Sequence, residues 1–160
     1  MAYKKRCVLM ALVGLWAGPL FAGGDHHHEH GSESSKVGLT VADSEATATI
    51  HVNMMDSMRY EFSPEPNFKS GDVVTFVITN KGKMLHEFSI GDEKEQISHR
   101  KMMQKMPDMV HEDGNTVSLQ PGESKSLTWK FTGDSEVVFA CNVPGHFEAG
   151  MVHRVTLNHK

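Results

Sequence analysis

The chain has 160 residues, 16 Lys and Arg against 20 Asp and Glu, and a formal net charge of −4. That length suits one domain with a single core, and that charge excludes a nucleic-acid footprint. Only two cysteines are present, Cys7 and Cys141, too few for a disulfide framework.

The first element is an export signal: Lys4, Lys5 and Arg6 precede an almost wholly apolar run from Cys7 to Phe21, closed by Pro19 and the small residues Ala17, Gly18, Ala22 and Gly23. The run is short for a membrane span. Residues 1–22 are therefore expected to be cleaved, leaving about 138 residues in the periplasm with no stable membrane span. Losing three cations and no acid takes the formal charge to about −7. Cys141 is then an unpaired thiol in a compartment where cysteines usually pair, and the count alone fits a buried structural thiol as well as a metal thiolate.

Residues 23–45 contain Asp25-His26-His27-His28-Glu29-His30 and then Gly, Ser, Glu and Lys with little apolar content, which predicts a disordered His-rich tail. From Ala46 to Lys160 the pattern becomes that of short strands: Ala46 to Val52, Arg59 to Phe62, Val73 to Asn80, Glu87 to Ile90, Thr116 to Leu119, Ser124 to Phe131, Glu136 to Ala140 and Met151 to Leu157. Turn residues at Ser70-Gly71-Asp72, Asn80-Lys81-Gly82, Gln120-Pro121-Gly122-Glu123 and Thr132-Gly133-Asp134 separate them. Such spacing predicts an all-β, Greek-key β-sandwich. One segment breaks the rhythm. Asp92 to Asn115 is polar, rich in helix formers up to Lys105 and then meets Pro107, which predicts an inserted Met-rich helix over Glu93 to Lys105.

The chemistry concentrates in CNVPGHFEAGM, residues 141–151, between two predicted strands. A soft thiolate (Cys141), an imidazole (His146) and a thioether (Met151) share this loop, and His86, at a strand start far upstream, is the natural fourth candidate. Taken singly, a His or Met is usually surface or packing. Together in an all-β chain they suit copper, which passes between Cu(I) and Cu(II) when held by a thiolate, two imidazoles and a weak thioether. Zinc is the chemical competitor, but it rarely takes a thioether, and its structural sites generally use two or more cysteines.

The segments NKGKMLHEFSIG, PGES and CNVPGHFEAGM, with the insert HRKMMQKMPDMVHED, resemble the cupredoxins, the blue-copper fold of plastocyanin, azurin and auracyanin, and especially the periplasmic CopI-type members associated with copper tolerance. The resemblance spans Ala46 to Asn158. It implies one type 1 copper with His86, Cys141 and His146 as strong equatorial ligands and Met151 as the long axial one. Both ligand intervals in the loop contain four residues, as in auracyanin. Glu87 is a departure, since many electron-transfer members place Asn or Ser there, and a carboxylate at that position is expected to alter potential or colour.

Further soft ligands exceed what one copper needs. Candidate accessory copper ligands are His26, His27, His28 and His30 in the tail, and His99, Met102, Met103, Met106, Met109 and His111 in the insert. Met54, Met55, Met58 and Met84 add thioethers elsewhere. For the insert methionines, packing beneath the helix competes evenly with metal binding. The expected function is periplasmic copper tolerance by binding, buffering or redox conversion of copper; the alternative is a type 1 copper electron carrier between periplasmic redox partners. A stand-alone enzyme is disfavoured by size, although the ligand set leaves room for a weak Cu(I) oxidase activity. The partners so implied are copper ions and a periplasmic redox or copper-handling protein, with no nucleic acid.

Overall fold

The computed structural model describes residues 35–110, 112, 114–133 and 136–158. The export signal, His26, His27, His28 and His30 of the tail, and His111 lie outside the described residues.

Nine strands are found among the described residues: β1 (Gly38–Thr40), β2 (Ala48–Met55), β3 (Arg59–Ser63), β4 (Val73–Asn80), β5 (His86–Gly91), β6 (Thr116–Leu119), β7 (Ser124–Phe131), β8 (Glu136–Ala140) and β9 (Val152–Thr156). They form two sheets, ordered β1-β7-β4-β2-β3 and β6-β5-β8-β9. All pairings are antiparallel except β2 with β4. The non-consecutive neighbours are Greek-key crossovers, as the strand spacing predicts.

Alternation explains the larger sheet. In β2, Ile50, Val52 and Met54 turn inward; in β4, Val74, Phe76 and Ile78 do the same. Between the sheets Phe88 stacks on Phe139 with centroids 5.4 Å apart, and Phe76 lies 5.4 Å from Phe88 and 5.6 Å from Phe139. This aromatic block fills one continuous core with Trp129, Phe131 and Leu119. All six residues of β5 are buried, because its outer face is covered by the one α-helix among the described residues, α1 (Glu93–Lys105).

The helix begins with a capping box. Asp92 Oδ1 accepts from Glu95 N at 2.8 Å, and Glu95 Oε2 accepts from Asp92 N at 2.7 Å. Gln96 and Met103 are its buried residues, seated against β5 and β8.

Several strand boundaries differ from the sequence reading, two of them with consequences for the core. The ordered domain starts before Ala46: β1 pairs with β7 in register Gly38 to Phe131, and Val37 is completely buried. The low apolar content of residues 23–45 hid this, since one valine and a backbone ladder suffice to add an edge strand. Strand β2 also runs on to Met55, because Met54 continues the inward alternation.

Candidate metal centre

The end of the sandwich where β5 begins and β8 finishes gathers the candidate ligands. His86 is the first residue of β5 and Cys141 follows the last residue of β8. The loop from Cys141 to Met151 then closes on itself: Met151 N donates to His146 O at 3.0 Å and Cys141 N donates to Met151 O at 3.1 Å. Its three candidate ligand residues are thus bonded to one another through the backbone. Gly145 (φ 86°) and Gly150 (φ 106°) supply the left-handed turns this closure requires.

One donor atom each from His86, Cys141 and His146 lies within 4.8 Å of the others. Cys141 Sγ is 3.4 Å from His146 Nδ1, and the two imidazole centroids are 5.0 Å apart. His86 Nδ1 is buried and has no hydrogen-bond partner, while its Nε2 lies 3.0 Å from Asp56 Oδ1. With the proton on Nε2, donated to Asp56, Nδ1 is left as a bare, buried lone pair. A buried lone pair without a donor costs free energy unless a cation takes it, so the donor set fits a metal ion. Met151 is fully buried in the same apolar cluster as Cys141.

Electrostatics agree with this use. Burial pushes the Cys141 thiol up to about 12, against the opposing pull of the backbone N–H groups of Glu87 and Val143. Without a metal the sulfur therefore keeps its proton at neutral pH, and a bound cation must displace it. The Glu87 N–H, 3.3 Å from Sγ, is placed to donate to the resulting thiolate. Burial, then the neighbouring His86, lowers the His146 imidazole, which holds it neutral and able to donate its lone pair. Asp56 is lowered by the Lys83 backbone N–H and next by His86, so it stays a carboxylate. A copper ion in such a set supplies a one-electron Cu(I)/Cu(II) couple.

Sequence reasoning passed over Asp56, Gln96, Arg100 and Asn142. Asp56 sits in the turn between β2 and β3, where an aspartate carries no signal beyond turn chemistry. Glu87, noticed as a departure, proves to be completely buried. Its Oε1 accepts from Asn142 N at 3.3 Å and Asn142 Nδ2 at 3.1 Å, and its Oε2 lies 3.3 Å from His99 Nε2. His99 thus faces Glu87 across the α1–β5 boundary. Of the insert methionines, Met103 is completely buried and serves packing, Met102 is half-buried, and Met106 and Met109 are exposed.

Residues 39–158 match the model of the plastocyanin/azurin family of copper binding proteins. The chain is 45% identical over 134 residues to a copper-resistant cuproprotein CopI of Vibrio cholerae, covering 83% of this chain and 79% of the relative. It is 35% identical to a CopI of Rubrivivax gelatinosus, covering 95% and 96%. Among solved structures it is similar to reduced auracyanin from Roseiflexus castenholzii, with a TM-score of 0.57 at 23% identity over 71% of this chain and 98% of that one. Auracyanin B gives a TM-score of 0.59 at 17% identity over 78% and 99%. His86, Cys141 and His146 are arranged in this fold so that they could hold a type 1 copper, and the chain belongs to the plastocyanin/azurin family of copper-binding proteins.

Proposed function

We propose that this chain is a periplasmic copper-handling protein that protects the cell by holding copper at His86, Cys141, His146 and Met151, with weaker capture by soft ligands outside that centre. The observation that carries this reading is the spread of exposed thioethers on a copper-binding fold: Met84, Met106 and Met109 are 41%, 43% and 37% exposed. An exposed thioether gains little from burial and is free to meet Cu(I). Met102 and Met106 stand one helical turn apart, the Met106 N–H donating to Met102 O at 3.0 Å. Relatives described as copper-resistant cuproproteins support the same role. In this reading the chain stores and passes on copper and turns over no substrate.

Electron transfer is the second reading. One observation favours it: His86 is completely buried whereas His146 is half-buried, leaving one imidazole edge toward the surface for a redox partner. Growth of a deletion strain across rising copper separates the two. A variant lacking residues 24–34, or one with Met102, Met106 and Met109 replaced by Leu, is expected to lower tolerance while the visible spectrum of the primary centre survives. Full rescue by both variants, with unchanged copper stoichiometry, favours the carrier.

A further inference from the structure

Three side chains on one face of α1 reach the metal centre, and each lands on the residue that follows a ligand. Gln96, His99 and Arg100 are spaced i, i+3 and i+4, with buried Met103 continuing the face. Gln96 Oε1 accepts from Asn142 Nδ2 at 2.8 Å, and Asn142 follows Cys141. His99 Nε2 lies 3.3 Å from Glu87 Oε2, and Glu87 follows His86. The Arg100 guanidinium carbon sits 3.5 Å from the centroid of the Phe147 ring, and Phe147 follows His146.

The grip is stiff at both ends. Gln96 Nε2 donates to Ser89 O at 3.2 Å and Val138 O at 2.9 Å, so its amide is anchored to β5 and β8 while it holds Asn142. Asn142 in turn binds Glu87, which joins the upstream ligand segment to the ligand loop. Glu87 is completely buried: its Oε1 is held by Asn142, while Oε2 makes no hydrogen bond and has His99 Nε2 at 3.3 Å as its ion-pair neighbour, so loss of either neighbour would leave buried charge uncompensated. We infer that α1 is a positioning clamp for the copper centre: through Gln96, His99 and Arg100 it fixes the backbone beside all three strong ligands and thereby sets the ligand geometry and the rate of copper release. None of the three touches the metal, so they are positioning residues. The insert then does two things: one face of its helix shapes the primary centre, and the exposed Met106 and Met109 follow the helix end. The inference rests on copper being held by His86, Cys141 and His146.

The test uses the full mature chain loaded with one equivalent of copper. Gln96→Ala, His99→Ala, Arg100→Ala and Arg100→Lys are compared with Lys94→Ala and Lys101→Ala on the exposed side of α1. Copper release to a chelator should quicken about 10–100-fold in the inner-face variants, the size usual for lost outer-shell support. The ratio of the visible charge-transfer bands and the paramagnetic resonance spectrum should shift with it. Arg100→Lys should behave like Arg100→Ala, because an ammonium cannot reproduce the planar stack. The outer-face variants should match the parent. If the inner-face variants do not fold, amide exchange of the unmodified protein answers instead: copper loading should slow exchange along α1, since coupling between helix and site is reciprocal. Release within about twofold of the parent with unaltered spectra overturns the clamp, as does α1 exchange indifferent to copper. A Cys141→Ser variant that kept the charge-transfer bands would instead overturn the ligand assignment beneath it.

Discussion

Replacing Asp56 should weaken copper binding although Asp56 is outside the ligand set. Its Oδ1 faces His86 Nε2 at 3.0 Å, and its two oxygens accept from Lys83 N at 3.0 and 2.8 Å. The carboxylate therefore fixes both the tautomer and the tilt of a fully buried imidazole from a turn on the opposite sheet. Asp56 is 36% exposed, so solvent screening weakens the contact without abolishing it. Asp56→Ala is expected to lower copper affinity about tenfold, the low end usual for lost outer-shell support, with Asp56→Asn intermediate because the amide oxygen still accepts. Gly82→Ala should act in the same direction, since a Cβ there would sit 2.1 Å from Asp56 Oδ1 and 3.0 Å from His86 Nε2. Competition against chelators for Cu(I) and for Cu(II) measures the loss in each oxidation state. Affinities for Asp56→Ala within about twofold of the parent in both states would refute the claim that this contact orients His86.

Phe76 lies at the centre of the aromatic block and is completely buried, so Phe76→Ala should cost the apo fold about 3–5 kcal/mol in urea unfolding. Gly38→Ala should cost on the order of 1–3 kcal/mol, because its φ is +150° and a Cβ would fall 2.2 Å from Lys130 O; an unchanged midpoint would mean β1 is not part of the cooperative unit. The apo fold should also weaken in alkali. The Cys141 thiol is raised from 9.0 to about 12, so the folded state holds this proton more tightly than the unfolded chain does, and the resulting stability is complete below pH 9.0 and lost as the pH rises toward about 12. The slope should approach 1.4 kcal/mol per pH unit, with Tyr60, raised chiefly by burial, adding in the same direction. Cys141→Ser should flatten the slope, and an equal slope in both proteins would count against a buried thiol.

Much of this was legible in the sequence because strand alternation and turn residues are local. Val73–Asn80, Ser124–Phe131 and the helix Glu93–Lys105 begin and end where periodicity, glycine and proline put them. The candidate ligand loop was legible for the same reason, as CNVPGHFEAGM carries three candidate donors within one turn-bounded stretch. What escaped was long-range. Asp56 meets His86 across 30 positions, Gln96 meets Asn142 across 46, and Val37 enters the core through pairing with a strand more than 80 residues away. No local pattern distinguishes such residues from ordinary turn, helix-surface or tail positions. The insert shows the limit most clearly: read as soft ligands, it also presents a polar face whose partners lie in strands β5 and β8 and in the loop that follows β8.

Copper-edge X-ray absorption of the protein loaded with one equivalent of copper tests the central claim most directly, because it reads the atoms around the metal. The Cys141, His86 and His146 centre predicts one short copper–sulfur bond and two imidazole nitrogens, with the sulfur lost in Cys141→Ser. A shell of nitrogen and oxygen alone, or a spectrum that Cys141→Ser leaves unchanged, would contradict it.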